Sequence, residues 1–95
     1  NEAVKLLKSA LQKERDSSYA WYHLSQAYGR LDQEPLAKYA IAEQAFNMGD
    51  LQRARSFAQR AQQDLPRGEP QWRRASDIIV ISDTQLASKK GRRRN

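Results

Sequence analysis

The sequence predicts an all-α protein, a stack of about five antiparallel helices, and three observations carry that prediction. Apolar residues recur at steps of three and four along nearly the whole chain, the spacing that lines one face of a helix. Capping residues, glycines and prolines interrupt the pattern between segments. Ile78 to Ile81 is a cluster of β-branched residues, but no second strand-like run stands ready to pair with its backbone groups, so helix is preferred there too.

In the first segment Ala3, Val4, Leu7, Ala10 and Leu11 form the stripe. Asp16, Ser17 and Ser18 follow, and any of them can cap the next helix by accepting a bond from a free backbone N–H. The second segment aligns Ala20, Trp21, Leu24, Ala27, Tyr28 and Leu31, and ends between Gly29 and Asp32. Pro35 suits the first turn of a third helix, where its missing N–H is not needed. That third helix is apolar nearly all round, with Lys38, Glu43, Gln44 and Asn47 as its few polar positions. Such a helix must be covered on more than one side, so it is expected at the centre.

Gly49 supplies a left-handed stop and Asp50 a cap for the fourth helix. Leu51, Ala54, Phe57, Ala58, Ala61 and Leu65 face inward there, with Arg53, Arg55, Gln59, Arg60 and Gln62 outward. Pro66, Gly68 and Pro70 mark the next loop. The fifth helix turns Trp72, Ala75, Ile78 and Ile79 inward, with Ile81 or Leu86 beyond.

Ninety-five residues suit one domain, since domains commonly run to roughly 100–150 residues. Hydrophobic residues make up 39% of the chain and many are alanines, which lets helix axes approach closely. Cysteine is absent, so disulfides and thiolate metal sites are excluded. No apolar run approaches the roughly 20 residues a membrane span requires. The net charge of +6 is uneven, because five positives fall between Lys89 and Arg94 and residues 1–88 hold 12 basic against 11 acidic side chains. The organisation expected is therefore a helical domain over residues 1–87 and a basic, disordered tail over 88–95. A start at Asn1 without a signal peptide suggests a piece of a longer protein whose targeting signal lies upstream.

Residues 35–68 resemble one 34-residue tetratricopeptide (TPR) repeat. Gly49 and Asp50 sit at its inter-helix turn, Ala54 and Ala61 at two small positions of its second helix, and Pro66 at its closing proline. Lys38 replaces the repeat's large aromatic residue and Ala42 its first glycine. A second register overlaps the first: Trp21, Leu24 and Tyr28 match the opening helix of a repeat starting near Ser18, with Ala37 at its first small position. The implied architecture is a right-handed, TPR-like α-solenoid, irregular because the third helix serves both registers.

Longer stretches are more particular: Ala20-Trp21-Tyr22-His23-Leu24-Ser25-Gln26-Ala27-Tyr28-Gly29-Arg30, then Ala42-Glu43-Gln44-Ala45, Gly49-Asp50-Leu51-Gln52-Arg53-Ala54, Leu65-Pro66-Arg67-Gly68 and Gln71-Trp72-Arg73-Arg74-Ala75-Ser76-Asp77-Ile78. Their order over residues 1–80 is similar to the C-terminal repeat region of bacterial periplasmic zinc metallopeptidases of the M48 group. The resemblance implies a periplasmic location, a zinc-bearing HExxH domain elsewhere in the parent protein, and a part in outer-membrane protein assembly and quality control.

The chain itself is expected to be non-catalytic and to hold no cofactor. HExxH needs two histidines one helical turn apart, whereas His23 is the single histidine and reads as a partly exposed helical residue. Ser25 and Ser82 lie on helices without a glycine-framed elbow, and the carboxylates Glu14, Asp16, Asp32 and Glu34 flank helix ends. The glycines are scattered at turns, which excludes a phosphate loop. Trp72 reads as a core residue beside Arg73 and Arg74.

The expected function is protein binding, to the parent's own protease domain, a substrate or an outer-membrane assembly protein, by a monomer. Outward positions on the first helix of each repeat pair face the groove in this architecture. Through the two registers these are Tyr22, Gln26 and Arg30, then Tyr39, Glu43 and Asn47; Tyr39 alternatively fills space between helices. No specific nucleic-acid recognition is expected. The alternative function is weak, salt-sensitive attraction of nucleic acid or an anionic membrane to the tail. A third reading is a spacer or self-associating segment.

Overall fold

A computed structural model describes the backbone of residues 1–94 and the side chains of residues 1–88. Five helices follow one another: α1 (Glu2–Lys13), α2 (Ser18–Arg30), α3 (Glu34–Asn47), α4 (Leu51–Asp64) and α5 (Pro70–Arg94). There is no strand among the described residues.

The helix ends follow from local chemistry. Asn1 caps α1, its Oδ1 accepting from the Ala3 N–H at 2.8 Å. Of the three candidate caps for α2, Ser17 takes the role, its Oγ accepting from the Ala20 N–H at 3.1 Å. Asp50 caps α4, accepting from the Arg53 N–H at 3.2 Å. Pro35 occupies the first turn of α3.

The stops of α2 and α3 are built alike. Gly49 has φ 81° and Asp32 has φ 57°. Beyond them, the Asp50 N–H donates to the Ala45 carbonyl and the Gln33 N–H to the Tyr28 carbonyl, both at 2.9 Å. Each pair closes a Schellman turn, satisfying carbonyls the helix leaves open. Asp32 does at the first stop what glycine does at the second. Aspartate is among the few residues that tolerate this conformation, and the two stops stand half a 34-residue period apart.

Packing follows chain order: α1 on α2, α2 on α3, α3 on α4, α4 on α5. The antiparallel sense of the last pair is explicit, since Gln62 late in α4 bonds Ser76 early in α5 while Arg55 early in α4 pairs with Asp83 at 2.6 Å. One further contact joins alternate helices, α3 with α5; α2 and α4 do not meet, and the backbone of α1 approaches α2 alone. The central position expected for α3 is thus observed. Its Ala40 and Ala42 are completely buried.

Two hydrophobic clusters result. The first gathers Leu11, Trp21, Leu24, Tyr28 and Tyr39 with Ala20, Ala37, Ala40 and Ala61. The second consists of Ala42, Ala45, Ala54, Ala58, Ala75 and Ile78, flanked by Phe46, Phe57 and Ile79.

Two expectations need correction. Gln62 is half-buried, and its amide donates to the Trp72 carbonyl at 3.0 Å as well as to the Ser76 hydroxyl, tying α4 to α5. The helix α5 also runs on to Arg94, with no break at Ser88 where a disordered tail was expected. Lysine and arginine are good helix formers, and their charge suits a helix C-terminus, so backbone helicity needs no apolar face there. The side chains of residues 89–95 lie outside the described residues, as does the backbone of Asn95.

Candidate functional site

Alanines bring α3, α4 and α5 together, but nothing draws α1 onto α3, and a cleft of about 520 Å³ opens between α1, α2, α3 and the start of α5. Its floor is Leu11, Trp21, Leu24, Tyr28 and Tyr39. Its rim carries Lys8, Gln12 and Arg15 from α1 and its exit loop, faced by Gln71 and Arg74 from α5. A smaller cleft of about 240 Å³ continues from it past Arg15, Trp21 and Arg74 to Asp16, Glu43 and Asn47. The volume of the larger cleft lies within the ~300–1,000 Å³ usual for ligand sites.

The floor is held by specific contacts. The Trp21 indole N–H donates to the Arg15 carbonyl at 2.9 Å, and its ring meets Tyr39 edge-on at 5.6 Å between centroids. The Tyr39 hydroxyl donates to Glu43 Oε2 at 2.7 Å. Arg74 from α5 closes on the same carboxylate with two bonds, Nε to Oε2 at 3.0 Å and Nη2 to Oε1 at 3.2 Å. The Glu43 side chain is only 4% exposed, against 31% for Arg74. A buried carboxylate demands such partners, and the fork of a guanidinium meets both its oxygens at once.

This network has consequences for protonation. Burial, reinforced by the neighbouring Glu43 carboxylate, pushes the Tyr39 phenol well above the ordinary tyrosine value of 10.0. The bond to Glu43 holds Arg74 above its own ordinary value. Both groups keep their protons, so the floor presents an apolar phenol ring and the rim a fixed cation.

The six residues expected at a groove separate into two sets. Tyr39, Glu43 and Asn47 line the two joined clefts. Tyr39 and Glu43 are buried, however, and bonded to each other and to α5, so Tyr39 does fill space between helices. Asn47 is exposed and donates to the Glu43 carbonyl at 2.9 Å. Tyr22, Gln26 and Arg30 are exposed on α2 and line neither cleft. They lie on the outer face of α2, whose inner face, carrying Trp21, Leu24 and Tyr28, lines the cleft instead.

Lys8, Gln12, Arg15 and Arg74 were not among the sequence-derived candidates. The four-residue step from Lys8 to Gln12 places these two on one face of α1, and taking α1 as the counterpart of α3 would have found them; Arg15 follows in the exit loop, where its carbonyl accepts from Trp21. Elsewhere, His23 is half-exposed between Tyr19 and Tyr22, at 4.3 and 5.2 Å between ring centroids. Ser25 is buried and donates to the Tyr22 carbonyl at 2.6 Å, while Ser82 is buried with no bond to its hydroxyl oxygen among the described residues. No helix among the described residues is long and apolar enough to cross a membrane.

Comparison with protein-family models, with curated proteins and with solved structures finds no match. What the cleft does must be read from its own geometry.

Proposed function

We propose that this chain is a non-catalytic protein-binding module of tetratricopeptide type, whose cleft between α1, α3 and α5 receives an extended peptide segment. The observation that carries the proposal is an open concavity with an aromatic and aliphatic floor and a polar rim. Tyrosine and tryptophan give a peptide much contact area at little conformational entropy. The repeat reading is supported by the paired Schellman stops and by the contact between alternate helices α3 and α5. Adjacent repeats in a solenoid stack in just this manner.

The resemblance to M48 metallopeptidases extends the proposal. The chain would be the C-terminal part of such an enzyme, acting in the periplasm on outer-membrane protein quality control. Zinc and the HExxH motif would belong to the protease domain, and the partner would be that domain or an outer-membrane assembly protein. The residues upstream in the full-length protein test this part: an HExxH domain and a signal peptide support it, and their absence leaves a generic repeat.

Binding itself is tested by titrating the ¹⁵N-labelled chain with the parent's protease domain and with an extended peptide of alternating Leu and Asn. Amide shifts at Leu11, Trp21, Tyr28 and Tyr39 are expected. Shifts confined to residues 89–94 would instead favour the basic end of α5 as an anion-binding element.

A further inference from the structure

We propose that the cleft selects an acidic extended peptide, one that places a large apolar side chain beside a carboxylate; this rests on the cleft being a peptide site. The lining of the larger cleft holds three cations, Lys8, Arg15 and Arg74, and no aspartate or glutamate. Residues 1–88 as a whole carry 12 basic and 11 acidic side chains, so this one-signed rim is a local feature and does not follow from composition.

The three cations are not equivalent. Arg74 is committed to Glu43 by two bonds. Lys8 and Arg15 are exposed and form no salt bridge among the described residues. They stand on the opposite bank from Arg74, across an apolar floor. A carboxylate arriving on the α1 side meets two available cations, one a guanidinium suited to bidentate pairing. A neighbouring apolar side chain of the same peptide reaches the Leu11, Trp21 and Leu24 floor. The Tyr28 hydroxyl, with no hydrogen bond among the described residues, adds a donor or acceptor for the peptide backbone. Asp16 marks one end of the site, since it lines the adjoining smaller cleft and repels a carboxylate placed there.

A nucleic acid is the competing polyanion. It is disfavoured because two available cations neutralise few phosphates, whereas the floor is predominantly apolar.

The test uses fluorescein-labelled peptides of alternating Leu–Asp, Leu–Asn and Leu–Lys, together with an oligothymidylate, by polarisation at low and physiological salt. The Leu–Asp peptide should bind about tenfold tighter than Leu–Asn, a gain typical of one or two exposed charge pairs, with Leu–Lys weakest. The gain should shrink at the higher salt, where screening shortens the reach of charge. The double variant Lys8→Gln, Arg15→Gln changes exposed side chains only. It should remove the preference for Leu–Asp, so that Leu–Asp and Leu–Asn bind the variant with equal affinity.

Equal affinity for Leu–Asp and Leu–Asn overturns the charge selection and leaves the peptide site standing. Failure of all three peptides overturns both. A Leu–Asp preference that survives in the double variant places the attraction outside the cleft and overturns the assignment to α1. Oligothymidylate binding tighter than the Leu–Asp peptide, and lost in the double variant, replaces the peptide with a nucleic acid.

Discussion

The two hydrophobic clusters are built on opposite principles. Around α3, α4 and α5, alanines at positions 42, 45, 54, 58 and 75 let the helices close on one another, with Ile78 filling the seam. Around α1, α2 and α3, Trp21, Tyr28, Tyr39, Leu11 and Leu24 join Ala20, Ala37, Ala40 and Ala61, and the bulky side chains stand between α1 and α3, whose backbones do not meet. The first arrangement fills its space and the second leaves a cleft. Consecutive helices therefore close into a filled core where their residues are small, and leave an open cleft where they are large and α1 has only α2 to rest on.

This contrast is most sharply broken at Ile78, which is completely buried. Ile78→Ala should destabilise the protein by about 4 kcal/mol in urea unfolding, because closely packed alanines have little freedom to collapse into the void. Leu11→Ala at the cleft should lose only about 2 kcal/mol, since water already reaches its edge, but it should weaken peptide binding. Equal losses at the two sites would erase the distinction between the clusters.

Overpacking is the next probe. Ala58→Leu should destabilise by about 3 kcal/mol, whereas Ala10→Leu on exposed α1 should fall within about 0.5 kcal/mol of the parent. Thermal denaturation of the pair suffices to check this.

The Glu43–Arg74 pair bridges α3 and α5 at the border between the clusters. Arg74→Met leaves a buried carboxylate with Tyr39 as its remaining side-chain partner, and should cost about 2 kcal/mol, below the ~3–5 kcal/mol for fully buried pairs because Arg74 is partly exposed. Tyr39 adds a dependence on alkaline pH. The folded state holds the phenol proton more tightly than the unfolded chain does. Its contribution is therefore complete below pH 10.0 and is lost progressively as pH climbs toward the higher folded value. Urea midpoints across that range should fall less steeply in Tyr39→Phe than in the parent.

The smallest effect is expected at the two stops. Asp32→Gly relieves an αL aspartate and should raise stability by up to about 1 kcal/mol. Gly49→Asp, its mirror, should lower stability by a similar amount.

Much of the fold was legible because helix signals are local. Ser17, Asp50, Gly49 and Pro35 each act within one turn of themselves, and the apolar wrapping of α3 announced its central place. The left-handed role of Asp32 was less visible, since aspartate at a helix end also reads as a surface residue. The helical course of α5 beyond Ser88 was missed because absence of an apolar face removes packing, not helix propensity.

The site was legible in part. Tyr39, Glu43 and Asn47 do lie along the clefts, but two of them are spent on each other and on Arg74, a residue 31 positions from Glu43. No periodicity announces a partner at that distance. Tyr22, Gln26 and Arg30 came from a register that α3, apolar all round, could not exclude. It is the opposite face of α2, carrying Trp21, Leu24 and Tyr28, that lines the cleft.

The central claim, that peptide binds between α1 and α5 and not on the outer face of α2, is tested most directly by site-specific photo-crosslinking. A photoreactive residue is placed at Gln12 on the rim or at Gln26 on α2, and each protein is irradiated with the Leu–Asp peptide. The account predicts a covalent adduct from position 12 and none from position 26. An adduct from position 26 with none from position 12 would contradict it.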